Sequence, residues 1–287
     1  MIDAHQHFWS LTTPGHEWPT VAEAAIHRTF DPADLAAEAR DVGLEATVLV
    51  QSQPNNIDTH WLLEIAARTP LVEAVVGWAD LTAADAPSRI SALARAPKMR
   101  GLRPMLQSVA DTDWLLQDCV APAIAAMLDH GLRFDALIQP RHLPMLARFA
   151  DRWPDLPIVI DHAAKPFIAK GTLDPWRMEI AALAARGVWC KLSGLRTEQA
   201  DGQLVSALAP YVGHLVDTFG ERLMWGSDWP VLRLSGDSYG DWVATAKHLA
   251  GLDDAADARL FTGAAAEFYG LHEAGQSSNT SNMGEAT

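Results

Sequence analysis

Residues 46–51 read ATVLVQ, and residues 158–161 read IVID. Both runs are almost continuously apolar, so in an extended chain each would present apolar side chains on both faces. Strands that are buried on both faces are typical of parallel sheets covered by helices, whereas antiparallel sheets commonly alternate between apolar and polar side chains. The two runs therefore predict a parallel sheet.

Short apolar runs of this kind recur along the chain at intervals of roughly 25–45 residues, which is the length of one strand–helix unit. The eight runs cover residues 2–4, 46–51, 74–78, 101–105, 134–138, 158–161, 188–192 and 223–225. Helical patterns fill the intervals between them. We therefore predict an α/β fold of the (β/α)8 TIM-barrel type. An open, doubly wound sheet is the alternative, but the first run leads into HQHFW rather than into a glycine-rich phosphate loop.

Two helical patterns begin with the same signal, an aspartate followed by a proline. DPADLAAEARDVG places Asp31 as the N-cap, and DPWRMEIAALAARG places Asp174 in the same role. A third pattern, at residues 204–219, contains Pro210. A proline inside a helix removes a backbone hydrogen bond, so we expect a kink there.

The barrel pattern extends over residues 1–272, which we predict to be one domain. Residues 11–30 are too irregular for a helix, so we expect them to form an insertion over the mouth of the barrel. Residues 273–287 are small and polar, which is typical of a disordered tail.

The chain of 287 residues has 36 acidic and 22 basic residues, and its formal net charge is −14. This charge, without any lysine- or arginine-rich block, argues against nucleic acid as a partner. The start of the chain lacks a signal-peptide pattern, and no apolar run is long enough to span a membrane. We therefore expect a cytoplasmic protein, with Cys119 and Cys190 as buried, unpaired thiols.

Two histidines lie at the end of the first predicted strand, within MIDAHQHFWS. His5 and His7 are two residues apart, so their side chains lie on the same face of a strand. The end of the sixth run adds His162, and the end of the eighth adds Asp228. Catalytic groups of a TIM barrel sit at the carboxyl ends of its strands. These four residues are therefore our candidate catalytic residues, although Asp228 could alternatively cap the next helix.

Further candidates lie near the same strand ends and could bind a substrate. We single out Arg103, Gln139 and Lys165 for polar contacts, and Trp9, Trp18 and Trp229 for apolar contact with a ring face. Each has an ordinary alternative, a salt bridge for the arginine and core packing for the tryptophans.

Motifs over nearly the whole chain resemble the amidohydrolase superfamily, in particular its amidohydrolase-2 branch of sugar-lactone hydrolases, related to L-fuconolactonase and L-rhamnonolactonase. The segments that carry the resemblance are MIDAHQHFW, GWADL, GLRPMLQ, LIQP, VIDHAAKP, CKLSGL, MWGSDWPV and AAAEFYGL. The resemblance implies a (β/α)8 barrel that opens a small cyclic ester, with a sugar lactone as the partner. It also implies that His5, His7, His162 and Asp228 form the core of the site.

One departure from the wider superfamily concerns the metal. Metal-dependent relatives have a histidine ligand at the end of strand five, where this chain has Gln139. Binuclear relatives have a bridging residue near strand four, where it has Arg103. The resemblance thus leaves two forms open, a mononuclear zinc site made by His5, His7 and Asp228, and a metal-free site.

The sequence leaves two other functions open. One is a zinc-dependent, non-oxidative decarboxylase of the same superfamily, and the other is a sugar-acid binding protein without catalytic activity. A nuclease would need more metal ligands than the strand ends offer.

Overall fold

The computed structural model describes residues 1–271, and the predicted barrel is present in them. Eight parallel strands form one sheet in sequence order. The strands are β1 Ile2–Gln6, β2 Ala46–Val50, β3 Val72–Gly77, β4 Met99–Leu102, β5 Arg133–Ala136, β6 Ile158–Ile160, β7 Trp189–Leu192 and β8 Leu223–Trp225. Backbone hydrogen bonds join the chain after β8 to the chain at β1, from His7 N to Trp229 O and from Asp228 N to His5 O, both 2.8 Å long. These bonds close the barrel beside the candidate site.

Helices follow the strands and cover the outside of the barrel. They are α1 Pro32–Glu38, α2 Asn56–Arg68, α3 Ala86–Leu93, α4 Ala121–Asp129, α5 Leu143–Arg152, α6 Trp176–Ala184, α7 Ala209–Phe219, α8 Tyr239–Ala250, α9 Asp254–Ala258 and α10 Ala264–Tyr269. No helix within residues 1–271 is long and apolar enough to cross a lipid bilayer.

The strands are apolar on both faces because each face packs into a different core. Val48 and Val50 of β2 belong to a cluster inside the barrel. Leu49, which lies between them, belongs to the larger cluster between the strands and the helices. Phe268 and Tyr269 of α10 pack on the inner cluster, so the last described helix helps to fill the barrel.

The start of α1 is as predicted. The Asp31 carboxylate accepts hydrogen bonds from the backbone N–H groups of Ala33 and Asp34. The prediction for α6 was wrong, because this helix begins at Trp176 and Asp174 instead binds the side chain of Arg177.

Two other expectations are corrected by the structure. Pro210 lies in the first turn of α7 and causes no kink, since a separate 3-10 turn, Val205–Leu208, precedes the helix. Cys119 is exposed, because it lies in a short 3-10 turn rather than in a helix, whereas Cys190 is buried as predicted. Both are free thiols. The predicted tail, residues 273–287, lies outside the described residues.

Candidate active site

The end of β1 places two imidazoles against each other. The Nε2 atoms of His5 and His7 are 3.2 Å apart, and both side chains are buried. The Nδ1 of His7 is 2.8 Å from the carbonyl oxygen of Val50. Because a carbonyl only accepts hydrogen bonds, the proton of a neutral His7 is on Nδ1, and its Nε2 has a free lone pair.

The loop after β8 brings Asp228 to the same point. Its Oδ1 is 3.3 Å from His7 Nε2, 3.8 Å from His5 Nε2 and 3.9 Å from His162 Nε2. Asp228 has a φ of +54°, which is strained for a residue with a side chain. Backbone strain of this kind is concentrated at functional sites.

The buried carboxylate of Asp3 fixes this loop. It accepts hydrogen bonds from the backbone N–H and the hydroxyl of Ser227, from the backbone N–H of His5 and from the hydroxyl of Tyr239. One buried carboxylate thus binds β1, the loop after β8 and α8 together. Burial raises the pKa of Asp3 to about 6, and the hydrogen bonds it accepts oppose that rise.

His162 enters the site from a left-handed turn. The φ angles of His162, Ala163, Ala164 and Lys165 lie between 49° and 60°. Each such residue costs on the order of 1 kcal/mol or more. The indole N–H of Trp176 donates to the Ala163 carbonyl (2.8 Å), and His162 Nδ1 is 2.9 Å from the Ser193 hydroxyl, so the surrounding structure supports the turn.

Two glycines allow the histidines to lie so close to the backbone. A β-carbon on Gly194 would be 2.6 Å from His162 Nδ1, and one on Gly226 would be 2.7 Å from the β-carbon of His5. Both distances are far inside van der Waals contact, so no other residue fits without moving a candidate catalytic side chain.

Burial keeps His5 and His162 neutral. It lowers the pKa of His162 to about 4 and the pKa of His5 well below its usual value. For Asp228, burial alone would raise the pKa, but the nearby histidines, His162 above all, outweigh burial and lower it. The site therefore holds an ionised Asp228 carboxylate beside the neutral imidazoles of His5 and His162 at neutral pH.

This donor set fits a divalent metal ion. The ligand atoms of His5, His7 and Asp228 lie within 4.8 Å of one another, and all three residues are buried. Two imidazole nitrogens and a carboxylate, with water as a further ligand, are a common catalytic zinc site. The hydrogen bond to Val50 orients His7, as the second ring nitrogen of a metal ligand usually does.

A second layer of charges lies beneath the histidines. Lys191 Nζ is 2.6 Å from Asp135 Oδ2 and 2.9 Å from Asp161 Oδ1, and all three side chains are fully buried. The hydroxyl of Tyr269 donates to Asp135 (2.6 Å). Arg103 is 3.3 Å from Asp161 and also donates to the carbonyl of Gln51.

The candidate list drawn from the sequence missed most of this second layer. The available signal was a charged residue inside an apolar strand, Asp135 in RFDA and Lys191 in WCKL. A buried charge needs a partner of opposite charge, so such residues predict one another. Asp161, directly before His162, gives the same signal, because it follows the apolar run IVI.

A cavity of about 550 Å³ opens above the site. Of the predicted residues, His7, Arg103, His162, Lys165 and Asp228 line it. His5 is fully buried beneath it. The predicted insertion over the mouth contributes Glu17 and Trp18. Its position is held by Gln53, whose side chain accepts from Glu17 N and donates to Trp18 O.

Three predicted substrate-binding residues lie elsewhere. Trp9 and Trp229 are buried and pack edge-on against Phe30. The side-chain oxygen of Gln139 accepts a hydrogen bond from Arg141. None of these three residues is among the described residues that line the cavity.

The amidohydrolase family model matches residues 2–271. The chain belongs to this family. It is 50% identical to the L-fucono-1,5-lactonase of Burkholderia ambifaria over 93% of this chain and 94% of that protein. It is 35% identical to the L-fucono-1,5-lactonase of Burkholderia multivorans over 95% and 96% of the two chains.

A solved structure gives the same fold. The crystal structure of an amidohydrolase from Burkholderia multivorans with bound zinc has a TM-score of 0.88 and 34% sequence identity, and the match covers 94% of this chain and 99% of that one. The resemblance and the barrel inferred from the sequence are therefore both confirmed.

Proposed function

We propose that this protein is a hydrolase that opens a small sugar-acid lactone, with L-fucono-1,5-lactone as the first substrate to assay. The observation that carries the proposal is the convergence of His5, His7 and Asp228 on one point at the floor of the cavity. The two fucono-lactonases at 50% and 35% identity support the choice of substrate.

Asp228 is the proposed general base. Its lowered pKa keeps the carboxylate ionised, so it can take a proton from the water that attacks the lactone carbonyl. A positioned base of this kind contributes about 10²–10⁴-fold to a rate. The tetrahedral intermediate then breaks its bond to the ring oxygen, which takes up the proton that Asp228 accepted.

His162 is the proposed donor to the carbonyl oxygen. A neutral His162 that accepts a hydrogen bond from the Ser193 hydroxyl at Nδ1 has its own proton on Nε2, which is the nitrogen on the Asp228 side. A donor placed at a developing oxyanion contributes about 10²–10³-fold. A strained sugar lactone is reactive toward water, so these two contributions form an adequate catalyst.

A divalent metal ion would be held by His5, His7 and Asp228, and the zinc-bound relative supports this assignment. When bound, such an ion polarises a carbonyl and lowers the pKa of coordinated water. Arg103 and Lys165 remain our proposed substrate-binding residues, because both line the cavity and can bind hydroxyl or carboxylate oxygens. Trp18 lines the cavity, so it remains our proposed apolar contact for the sugar ring.

The test is acid release from a panel of aldonolactones by the wild type and by the His5→Ala and His7→Ala variants, with and without a chelator. We expect the activity of each variant to be lower than that of the wild type by about 10²-fold or more. His248→Ala, on the exposed face of α8, is the matched control and should keep full activity. Normal activity in both site variants would refute the assignment, and saturable binding without acid release would indicate a binding protein.

The single domain, the cytoplasmic location and the exclusion of nucleic acid stay predictions from the sequence.

A further inference from the structure

His5 lies between two fixed cations. Arg103 Nη1 is 3.4 Å from its Nε2, and Lys191 Nζ is 3.1 Å from its Nδ1. The side chains of His5 and Lys191 are fully buried, and Arg103 is 3% exposed. Guanidinium and ammonium groups only donate hydrogen bonds, whereas a neutral imidazole has one nitrogen that accepts. The two cations therefore compete for one lone pair.

Each tautomer of His5 satisfies one of the two cations. With the proton on Nδ1, the ring can donate to Asp161 Oδ1, 3.3 Å away, and Nε2 accepts from Arg103. With the proton on Nε2, Nδ1 accepts from Lys191, and the N–H faces the free lone pair of His7 Nε2. In the first tautomer Arg103 occupies the lone pair of Nε2, and in the second Nε2 has none. Coordination of a metal through Nε2 must therefore displace an existing interaction.

Electrostatic repulsion also opposes the binding of a metal ion at Nε2 of His5. A zinc–nitrogen bond of about 2.0–2.1 Å would place the ion no further than about 5.5 Å from Arg103 Nη1. At that distance, between buried groups, a monovalent and a divalent cation repel strongly. Asp161, 3.3 Å from the same guanidinium, offsets part of this repulsion but also binds Lys191.

We propose that Arg103 lowers the affinity of the site for a divalent metal ion by competing for the Nε2 atom of His5. The ion and the Arg103–His5 hydrogen bond exclude each other, so metal occupancy depends on the free metal concentration. The inference rests on the proposed ligands of the active site. Metal affinity is measured without any lactone, so its failure would leave the proposed hydrolase activity untouched.

The experiment is a zinc titration of the metal-stripped protein against a chromogenic chelator. Arg103→Met should bind zinc more tightly than the wild type by about 10–100-fold, the usual range for groups that act on metal ligands from outside. Arg103→Lys keeps the positive charge and should stay nearer the wild type. Arg100→Met, at the other end of β4, changes the net charge equally and should leave the affinity unchanged. Wild-type or weaker affinity in Arg103→Met would overturn the proposal.

Crystal structures of the wild type with and without zinc test the same idea without any substitution. We expect the guanidinium to donate to His5 Nε2 only in the metal-free crystals. A structure in which zinc is coordinated by this nitrogen while Arg103 still donates to it would also overturn the proposal.

Discussion

Two groups of buried charges lie next to each other in the barrel, and they differ in what their atoms face. In the lower group, Lys191 lies between the opposite charges of Asp135 and Asp161. In the upper group, at the mouth, Nε2 of His5 faces Nε2 of His7, and the ionised Asp228 stands on a strained backbone beside them. In the lower group the cation is paired with carboxylates of the protein, whereas the upper group has acceptor atoms that converge on a common point. This difference indicates that the lower group supports structure and the upper group binds and reacts.

The largest expected effect of this difference is on turnover. Asp228→Asn keeps the shape of the side chain but cannot accept the proton of water, so we expect lactonase turnover to fall by about 10²–10⁴-fold. The melting temperature should stay close to that of the wild type, since Asp228 is not part of the lower charge group. Steady-state kinetics and thermal unfolding measure both quantities.

The control for this variant is Asp201→Asn, which makes the same change on an exposed turn. It should alter neither quantity. Near-normal turnover in Asp228→Asn would show that the upper group is not the reacting one.

The lower group should respond in the opposite way, through stability. Lys191→Met leaves two buried carboxylates without their main partner, and breaking a buried ion pair on one side costs about 3–5 kcal/mol of unfolding free energy. Lys247 offers a matched comparison, because its Nζ also lies 2.6 Å from a carboxylate, that of Asp257, but its side chain is 48% exposed. Lys247→Met should cost no more than about 1 kcal/mol.

Urea unfolding of the two lysine variants measures both costs. Equal losses of stability would mean that the burial of the lower group does not matter, and the contrast drawn between the two groups would fail.

The sequence predicted the barrel well because the signals for it are local. The continuous apolar run around Val48 indicates a strand that is buried on both faces. The two-residue spacing of His5 and His7 indicates that their side chains share one face of a strand. Such signals depend only on neighbouring residues, so they can be read from the sequence without knowledge of the fold.

What the sequence did not predict depends on contacts between distant residues. Trp9 and Trp229 lie close after the ends of β1 and β8, and Trp18 lies in the insertion over the mouth. Of these three, Trp18 alone lines the cavity, because the other two pack on Phe30. The link between Asp135 and Tyr269 spans 134 residues of sequence. No local pattern distinguishes a strand-end side chain that faces the cavity from one that packs into the core.

The smallest expected effect concerns the glycine that supports His162. Gly194 and Gly202 both have positive φ, +62° and +72°, so alanine is strained at either position and costs about 1 kcal/mol of stability. They differ in their surroundings. A β-carbon at Gly194 would lie 2.6 Å from His162 Nδ1, whereas one at Gly202 would have no atom within 4 Å.

Gly194→Ala should therefore also displace His162 from Ser193 and lower kcat by about tenfold, a modest part of the value of one oxyanion donor. Gly202→Ala should keep the wild-type kcat at a similar loss of stability. Kinetics and melting temperatures of the two variants separate the effect of backbone strain from the effect of displacing His162. An equal kcat in both variants would show that His162 does not take part in the reaction.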